Sequence, residues 1–241
     1  MTALADDEIE RALVVTAHPD DLDFGAAGTI AGWTAAGIEV AYCIATYGDA
    51  GGFDPAVPRG EIPKIREAEQ RAAAAAVGVE DVTILGYPDG RLEVSFDLRR
   101  DITRQIRRVR PQRVLTHSPL RNWQRIAPSH PDHLAAGEAA LCAVYPDARN
   151  PFAHAELLRD EGLVEWTVSE VWLSGGPDPD HFVDITENFD KKTAALREHK
   201  SQTAHMDDLE GMLRGWLGAN AMAASLPEGR LAESFQVIST S

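Results

Sequence analysis

The stretch Val14–Ile30, VVTAHPDDLDFGAAGTI, decides how this chain is read. Apolar and small residues run straight into His18, Pro19, Asp20 and Asp21, and glycine-rich sequence follows. A short apolar run closed by a turn signal is the pattern of a strand buried on both faces. Such a strand releases polar groups only at its end. One imidazole and two adjacent carboxylates are therefore expected at a sheet edge.

Working outward, IEVAYCIAT (38–46) reads as a second strand and DVTILG (81–86) as a third. QRVLTHSP (112–119) reads as a fourth. Helical patterns lie between them: a small-residue helix near Gly28–Ala36, IPKIREAEQRAAAAAVGV (62–79) and the amphipathic SFDLRRDITRQIRRVR (95–110). Pro63 suits the first turn of the second helix and Gly78 its end. Later, TVSEVWLSG (167–175) and HFVDIT (181–186) read as short strands and Asp190–His205 as a helix. Strands alternating with helices predict a Rossmann-like α/β fold, a mostly parallel sheet with helices on both faces. Ligands of such sheets bind at the carboxyl ends of the strands. His18–Asp21, the loop Gly48–Phe53, Gly86–Gly90 and His117–Pro119 are thus predicted to share one edge. Without repeats, low-complexity sequence or a linker, residues 1–241 are expected to form a single domain.

The formal net charge of −15 argues against a nucleic-acid partner, which needs a basic face. The basic residues of RRDITRQIRRVR fit the exposed side of a helix. Cys43 and Cys142 lie in apolar runs and are expected as reduced thiols. The opening MTALADDEIE lacks the pattern of a signal peptide, and no stretch reaches the roughly 20 apolar residues of a membrane span. A cytoplasmic protein without a membrane partner is expected; homo-oligomerisation is left open.

The second informative stretch is APSHPDHLAAGEAALCAVY (127–145). His130 and His133, three apart at a helix start marked by Pro131, share a face. Either His-Pro-Asp motif alone is compatible with helix capping, for which aspartate is common. Together, after the first and fourth strands, they can meet at one edge. Catalytic zinc commonly takes three such ligands and leaves a place for water. His18, one of Asp20 or Asp21, and one of His130 or His133 suit that set. Each motif then has a group to spare for proton transfer or for the developing oxyanion.

At these residues the chain resembles the LmbE-like, or PIG-L, family of zinc-dependent N-acetyl-sugar deacetylases. The shared pattern is AHPDD with its glycine-rich continuation, ATYGDAGG, the Arg-x-x-Glu helix, LGYPDGRL, HPDH and the late ALREHKSQ. The resemblance runs over residues 11–205. It implies His18, Asp21 and His133 as metal ligands, with zinc as the ion and ferrous iron as the alternative. It implies Asp20 as the general base and then acid, and His130 as the oxyanion stabiliser, an imidazolium supported by the Asp132 carboxylate. Arg66 and Asp89 would hold substrate hydroxyls. His117 is read as lining the cavity without ligating, and His154, His181, His199 and His205 as structural or solvated. Trp123 lies in the loop Leu120–Ser129, a loop of the kind that selects substrates. Ala127, Pro128 and Ser129 stand where some members carry an aromatic residue or glycine.

The resulting expectation is a metal-dependent hydrolase that removes an acyl group, most simply acetyl, from a small-molecule amino sugar or sugar conjugate. A mycothiol-type conjugate or an acylated glycopeptide is the alternative substrate. A non-catalytic sugar- or nucleotide-binding module is the alternative of another class, and FGAAGT, short of a full G-x-G-x-x-G, supports a dinucleotide poorly.

Overall fold

A computed structural model describes residues 3–240. The chain runs through β1 (Arg11–Thr16), α1 (Asp21–Ala35), β2 (Glu39–Thr46), α2 (Ile62–Ala76), β3 (Asp81–Tyr87), α3 (Phe96–Val109) and β4 (Arg113–His117). It continues through α4 (Pro131–Cys142), α5 (Ala155–Glu161), β5 (Glu170–Ser174) and β6 (His181–Asp184). Last come α6 (Phe189–Glu198), α7 (Lys200–Thr203), α8 (Leu209–Ala223) and β7 (Ala232–Ser239).

The strands form one seven-stranded sheet in the order β3-β2-β1-β4-β5-β7-β6. Strands β1 to β5 pair in parallel, as expected. Strand β7, which the sequence pattern does not reveal, enters between β5 and β6 and runs antiparallel to both. The chain winds outward from β1 through β2 to β3 and then returns to place β4 on the other side of β1. Strand order therefore reverses between β1 and β4. In an open parallel sheet, that reversal opens a crevice at the carboxyl ends, where loops diverge to opposite faces.

Alternation along β1 explains the two apolar layers. Val14 points to one face, where Ile30 and Trp33 of α1 and Ala73 and Ala74 of α2 cover it. Leu13 and Val15 point to the other, against Leu98, Ile102 and Ile106 of α3 and Ala136, Ala139 and Ala140 of α4. Each fully buried leucine or isoleucine contributes roughly 1.5–3 kcal/mol. Helix α3 starts where the Ser95 hydroxyl accepts the Leu98 N–H, and it stops at Arg110, whose backbone is left-handed. Cys43 and Cys142 are both free thiols.

Two expectations are corrected. Helix α1 begins at Asp21, directly after the motif, and not near Gly28. The helix expected over Asp190–His205 breaks at His199, whose backbone is non-helical. Helix α8 and β7 occupy the C-terminal region that carries no clear pattern.

Helix α1 is also clasped from outside. Lys192 of α6 donates to the Asp23 and Phe24 carbonyls at 2.9 and 2.6 Å, and it pairs with Glu233 of β7 at 2.7 Å. Glu233 in turn accepts the N–H groups of Gly28 and Thr29. The Phe24 carbonyl and Gly28 N–H, mutual partners in an ideal helix, thus each take a side-chain partner. The C-terminal region thereby grips the helix that carries the first motif.

Candidate metal centre and its base

The two His-Pro-Asp motifs meet at the reversal between β1 and β4. His18 follows β1, His117 ends β4, and His130 and His133 flank the start of α4. Helix α4 reaches this edge because Gly137 lets it approach β4: a Cβ there would lie 2.3 Å from the His117 carbonyl oxygen. That approach aims its first turn at His18.

Asp21 joins the motifs. Its Oδ2 lies 3.3 Å from His18 Nδ1, and its Oδ1 lies 3.0 Å from His133 Nε2. His18, His130 and His133 each offer a ring nitrogen, all within 4.8 Å of one another. Asp21, His117 and His133 form a second such set among the described residues, and His18, Asp89 and Asp132 a third. His133 Nδ1 lies 3.1 Å from the Pro128 carbonyl oxygen and can donate there, so that Nε2, on giving up its own proton, is free to hold an ion beside Asp21. His117 stacks on His133, ring centroids 4.2 Å apart, with its Nε2 3.2 Å from Asp21 Oδ2.

The fixed charge favours a cation. Burial opposes a charged His18, yet Asp21, Asp132 and Asp89 push its pKa up to about 12. His133 is likewise raised, with Asp21 outweighing burial. Burial alone would raise Asp21, but His133 and His18 hold it well below the usual carboxylate range. Carboxylates that hold protons this firmly on two imidazoles can exchange them for a divalent ion. The donor set, imidazole nitrogens with carboxylate oxygen, fits zinc or ferrous iron.

Asp20 stands apart from this set. It caps α1 with φ +83°, a left-handed conformation that costs a non-glycine residue about 1–3 kcal/mol and persists only where surroundings enforce it. Its carboxylate lies 3.1 Å from Arg66 Nη2. Burial lifts Asp20 to about 6 against the pull of Arg66, and Asp21 adds to the lift.

Arg66 differs from its expected role. It is 4% exposed, and its guanidinium donates to the Gly48 carbonyl, the Pro19 carbonyl and Asp20. It holds protein groups rather than standing open to a sugar hydroxyl. Asp89 is also engaged, with Oδ1 3.0 Å from His18 Nε2 and Oδ2 accepting the Ala50 N–H. The Asp132 carboxylate, expected on His130, instead accepts the Gly90 and Leu92 N–H groups and faces His18 Nε2 at 3.2 Å. The backbone N–H of Asp132 donates to His130 Nδ1 at 3.2 Å, and burial with the neighbouring His18 and His133 lowers the His130 pKa. His130 Nδ1 thus accepts a backbone N–H, which leaves Nε2 to carry the ring proton, and the carboxylate expected to support an imidazolium points elsewhere. The reason is positional: the carboxylate of the first helical turn points toward the glycine loop, not back at its own N-cap.

The sequence does not single out Gln70 or Asp23, and it reads His199 as structural or solvated. All three are buried beneath Asp20. The available signal was Gln70 one turn after Arg66 on α2. Trp123 is 82% exposed on its loop, beside the Arg121 guanidinium.

The chain belongs to the PIG-L family: the family's GlcNAc-PI de-N-acetylase model matches residues 13–144. Among its relatives is the diacetylchitobiose deacetylase of Thermococcus kodakarensis, 31% identical over 195 residues that span 81% of this chain and 71% of that one. Another is the probable N-acetyl-alpha-D-glucosaminyl L-malate deacetylase 2 of Bacillus cereus, 36% identical over 201 residues, 80% and 84% of the two chains. In three dimensions it is similar to the N,N'-diacetylchitobiose deacetylase from Pyrococcus horikoshii, with a TM-score of 0.88 at 29% identity, covering 97% of this chain and 85% of the other.

Proposed function

We propose that this protein is a metal-dependent N-deacetylase that cleaves the acetamide of an N-acetylated amino sugar or its conjugate. The observation that carries the reading is the convergence of His18, Asp21 and His133 at one strand edge, next to a carboxylate, Asp20, that is kept out of the ligand set. His18, Asp21 and His133 would hold the ion, zinc first and ferrous iron second. A divalent ion so held lowers the pKa of water toward about 7 and polarises the amide carbonyl.

The chain's own groups supply the rest. Asp20 takes a proton from the attacking water as the oxygen bonds to the acyl carbon. It then delivers that proton to the amide nitrogen as the C–N bond breaks, releasing the amine and acetic acid, whose remaining proton passes to the amine to give acetate and the ammonium form. A carboxyl near pKa 6 is matched to both tasks close to neutral pH. His130, neutral and protonated on Nε2, donates to the oxygen that becomes anionic, which a neutral imidazole at a helix N-terminus can do. Arg66 keeps Asp20 oriented, and Asp89 remains the candidate for a sugar hydroxyl. Among the described residues no helix is long and apolar enough to cross a membrane. The relatives named for diacetylchitobiose and N-acetyl-alpha-D-glucosaminyl L-malate support a small-molecule partner.

Leu120, Trp123 and Ile126 are exposed on the loop after β4, which favours a second reading on a larger sugar conjugate. One experiment tests both. Protein freed of metal by chelation and reloaded with zinc or ferrous iron is given N-acetylglucosamine, diacetylchitobiose and an N-acetylglucosaminyl conjugate, and free amine is measured. Metal-dependent amine release supports the reading, and the preferred substrate separates its two forms. Equal release with and without metal, or none from any substrate, would overturn it.

A further inference from the structure

Beneath Asp20 lies a chain of buried polar side chains that touches none of the proposed metal ligands. The Asp20 N–H donates to Gln70 Oε1 at 2.8 Å, and Gln70 Nε2 donates to Asp23 Oδ2 at 2.9 Å. His199 Nε2 meets the same Asp23 oxygen at 2.7 Å. Gln70, Asp23 and His199 are each fully buried. They come from three elements: α2, the first turn of α1, and the break between α6 and α7.

Stability alone is a weak reason for burying such a set. Replacing a buried ion pair by well-packed apolar groups is often neutral or stabilising. What the set achieves is direction. A carboxylate only accepts, so Asp23 compels Gln70 to turn its NH2 inward and its oxygen toward the Asp20 N–H. His199, on the far side, keeps the Asp23 carboxylate from rotating away. Arg66, one turn earlier on the same face of α2, holds the Pro19 carbonyl and the Asp20 carboxylate. The Pro19–Asp20 peptide is therefore gripped at both of its polar ends, which is what a left-handed aspartate requires.

We infer that Gln70, Asp23 and His199 are positioning residues for the reaction, a relay that holds the left-handed backbone of Asp20 so that its carboxylate faces the substrate amide. The inference rests on the deacetylase reading, in which Asp20 is the base. It gives the late segment containing His199, outside the matched residues 13–144, a part in catalysis.

The relay's polarity makes it testable by reversal. Gln70→Glu sets two carboxylates face to face; adding Asp23→Asn restores one donor and one acceptor between them. In Gln70→Glu, kcat is expected to fall about 30-fold with KM and bound metal near wild-type values, and the double variant to regain about tenfold, a coupling within the range of contacting residues. Gln70→Met, which removes the acceptor without adding charge, should show the same loss of kcat without KM. Amide hydrogen exchange over residues 17–24 gives a reading independent of turnover. It should rise about tenfold in Gln70→Glu and in His199→Leu, and return in the double variant. Unchanged exchange, no recovery of kcat in the double variant, or activity lost only in proportion to metal would overturn the relay. A wild-type protein inactive on every N-acyl sugar, yet showing the expected exchange pattern, would instead overturn the deacetylase reading.

Discussion

The Arg66 guanidinium lies 2.7 Å from the Pro19 carbonyl oxygen and 3.1 Å from the Asp20 carboxylate, so one buried cation holds both the proposed base and the peptide that carries it. Arg66→Leu removes one partner of a buried pair and should destabilise the fold by about 3–5 kcal/mol. It also has a signed effect on pH dependence. Arg66 pulls the Asp20 pKa down, and Asp20 must be ionised to accept a proton. Without Arg66 the base stays protonated to higher pH, so the acid limb of the kcat profile moves upward. A limb that stayed in place or moved down would refute this role.

Metal binding and proton transfer should separate by substitution. Asp20→Asn keeps the His18, Asp21 and His133 donors and should retain metal, while kcat falls about 10²–10⁴-fold. His133→Ala removes a donor and should lose the metal, with turnover lost in parallel. Elemental analysis beside a free-amine assay decides. Full activity in Asp20→Asn would reassign the base.

Gly48 sits against the Arg66 guanidinium with φ +65°, and a Cβ there would lie 2.0 Å from Arg66 Nη1. Gly48→Ala should therefore cost about 1–3 kcal/mol through backbone strain alone and displace Arg66. Gly60, with nothing within 4 Å of its Cβ position, is the control: Gly60→Ala should change stability by less than about 0.5 kcal/mol. Denaturant midpoints of the two variants test the contrast.

Arg113 begins β4, at the opposite edge of the sheet from His117. Its guanidinium packs against both the Trp33 and Trp172 rings, 5.0 and 4.3 Å from their centroids, and lies 2.6 Å from Glu170. Arg113→Leu leaves Glu170 buried without its cation and should destabilise by about 3–5 kcal/mol. Because the site is at the other end of the strands, KM should be unchanged and activity per folded molecule retained. A raised KM would show coupling between the two edges.

The parallel core of the fold was legible because it is encoded locally. Apolar runs of strand length separated by amphipathic helices predict β1 to β4 and their helices from short windows of sequence. The same windows mislead where composition is bland: α1, rich in alanine and glycine, has no amphipathic stripe to mark its start at Asp21. Strand β7 was illegible because its place between β5 and β6 is set by pairing partners distant in the chain.

The sequence by itself determined which chemistry is available: two His-Pro-Asp motifs, each placed after a strand, and hence imidazoles and carboxylates at one edge. It did so because residue type and strand-end position are local properties. Only the tertiary structure decided which group each side chain serves. Arg66 turns inward to Asp20, Asp132 faces His18 and two loop amides, and His199 reaches Asp23 from the break between α6 and α7, far along the chain. Partner choice in a buried polar site depends on which donors and acceptors packing brings within about 3 Å, and no local spacing carries that information.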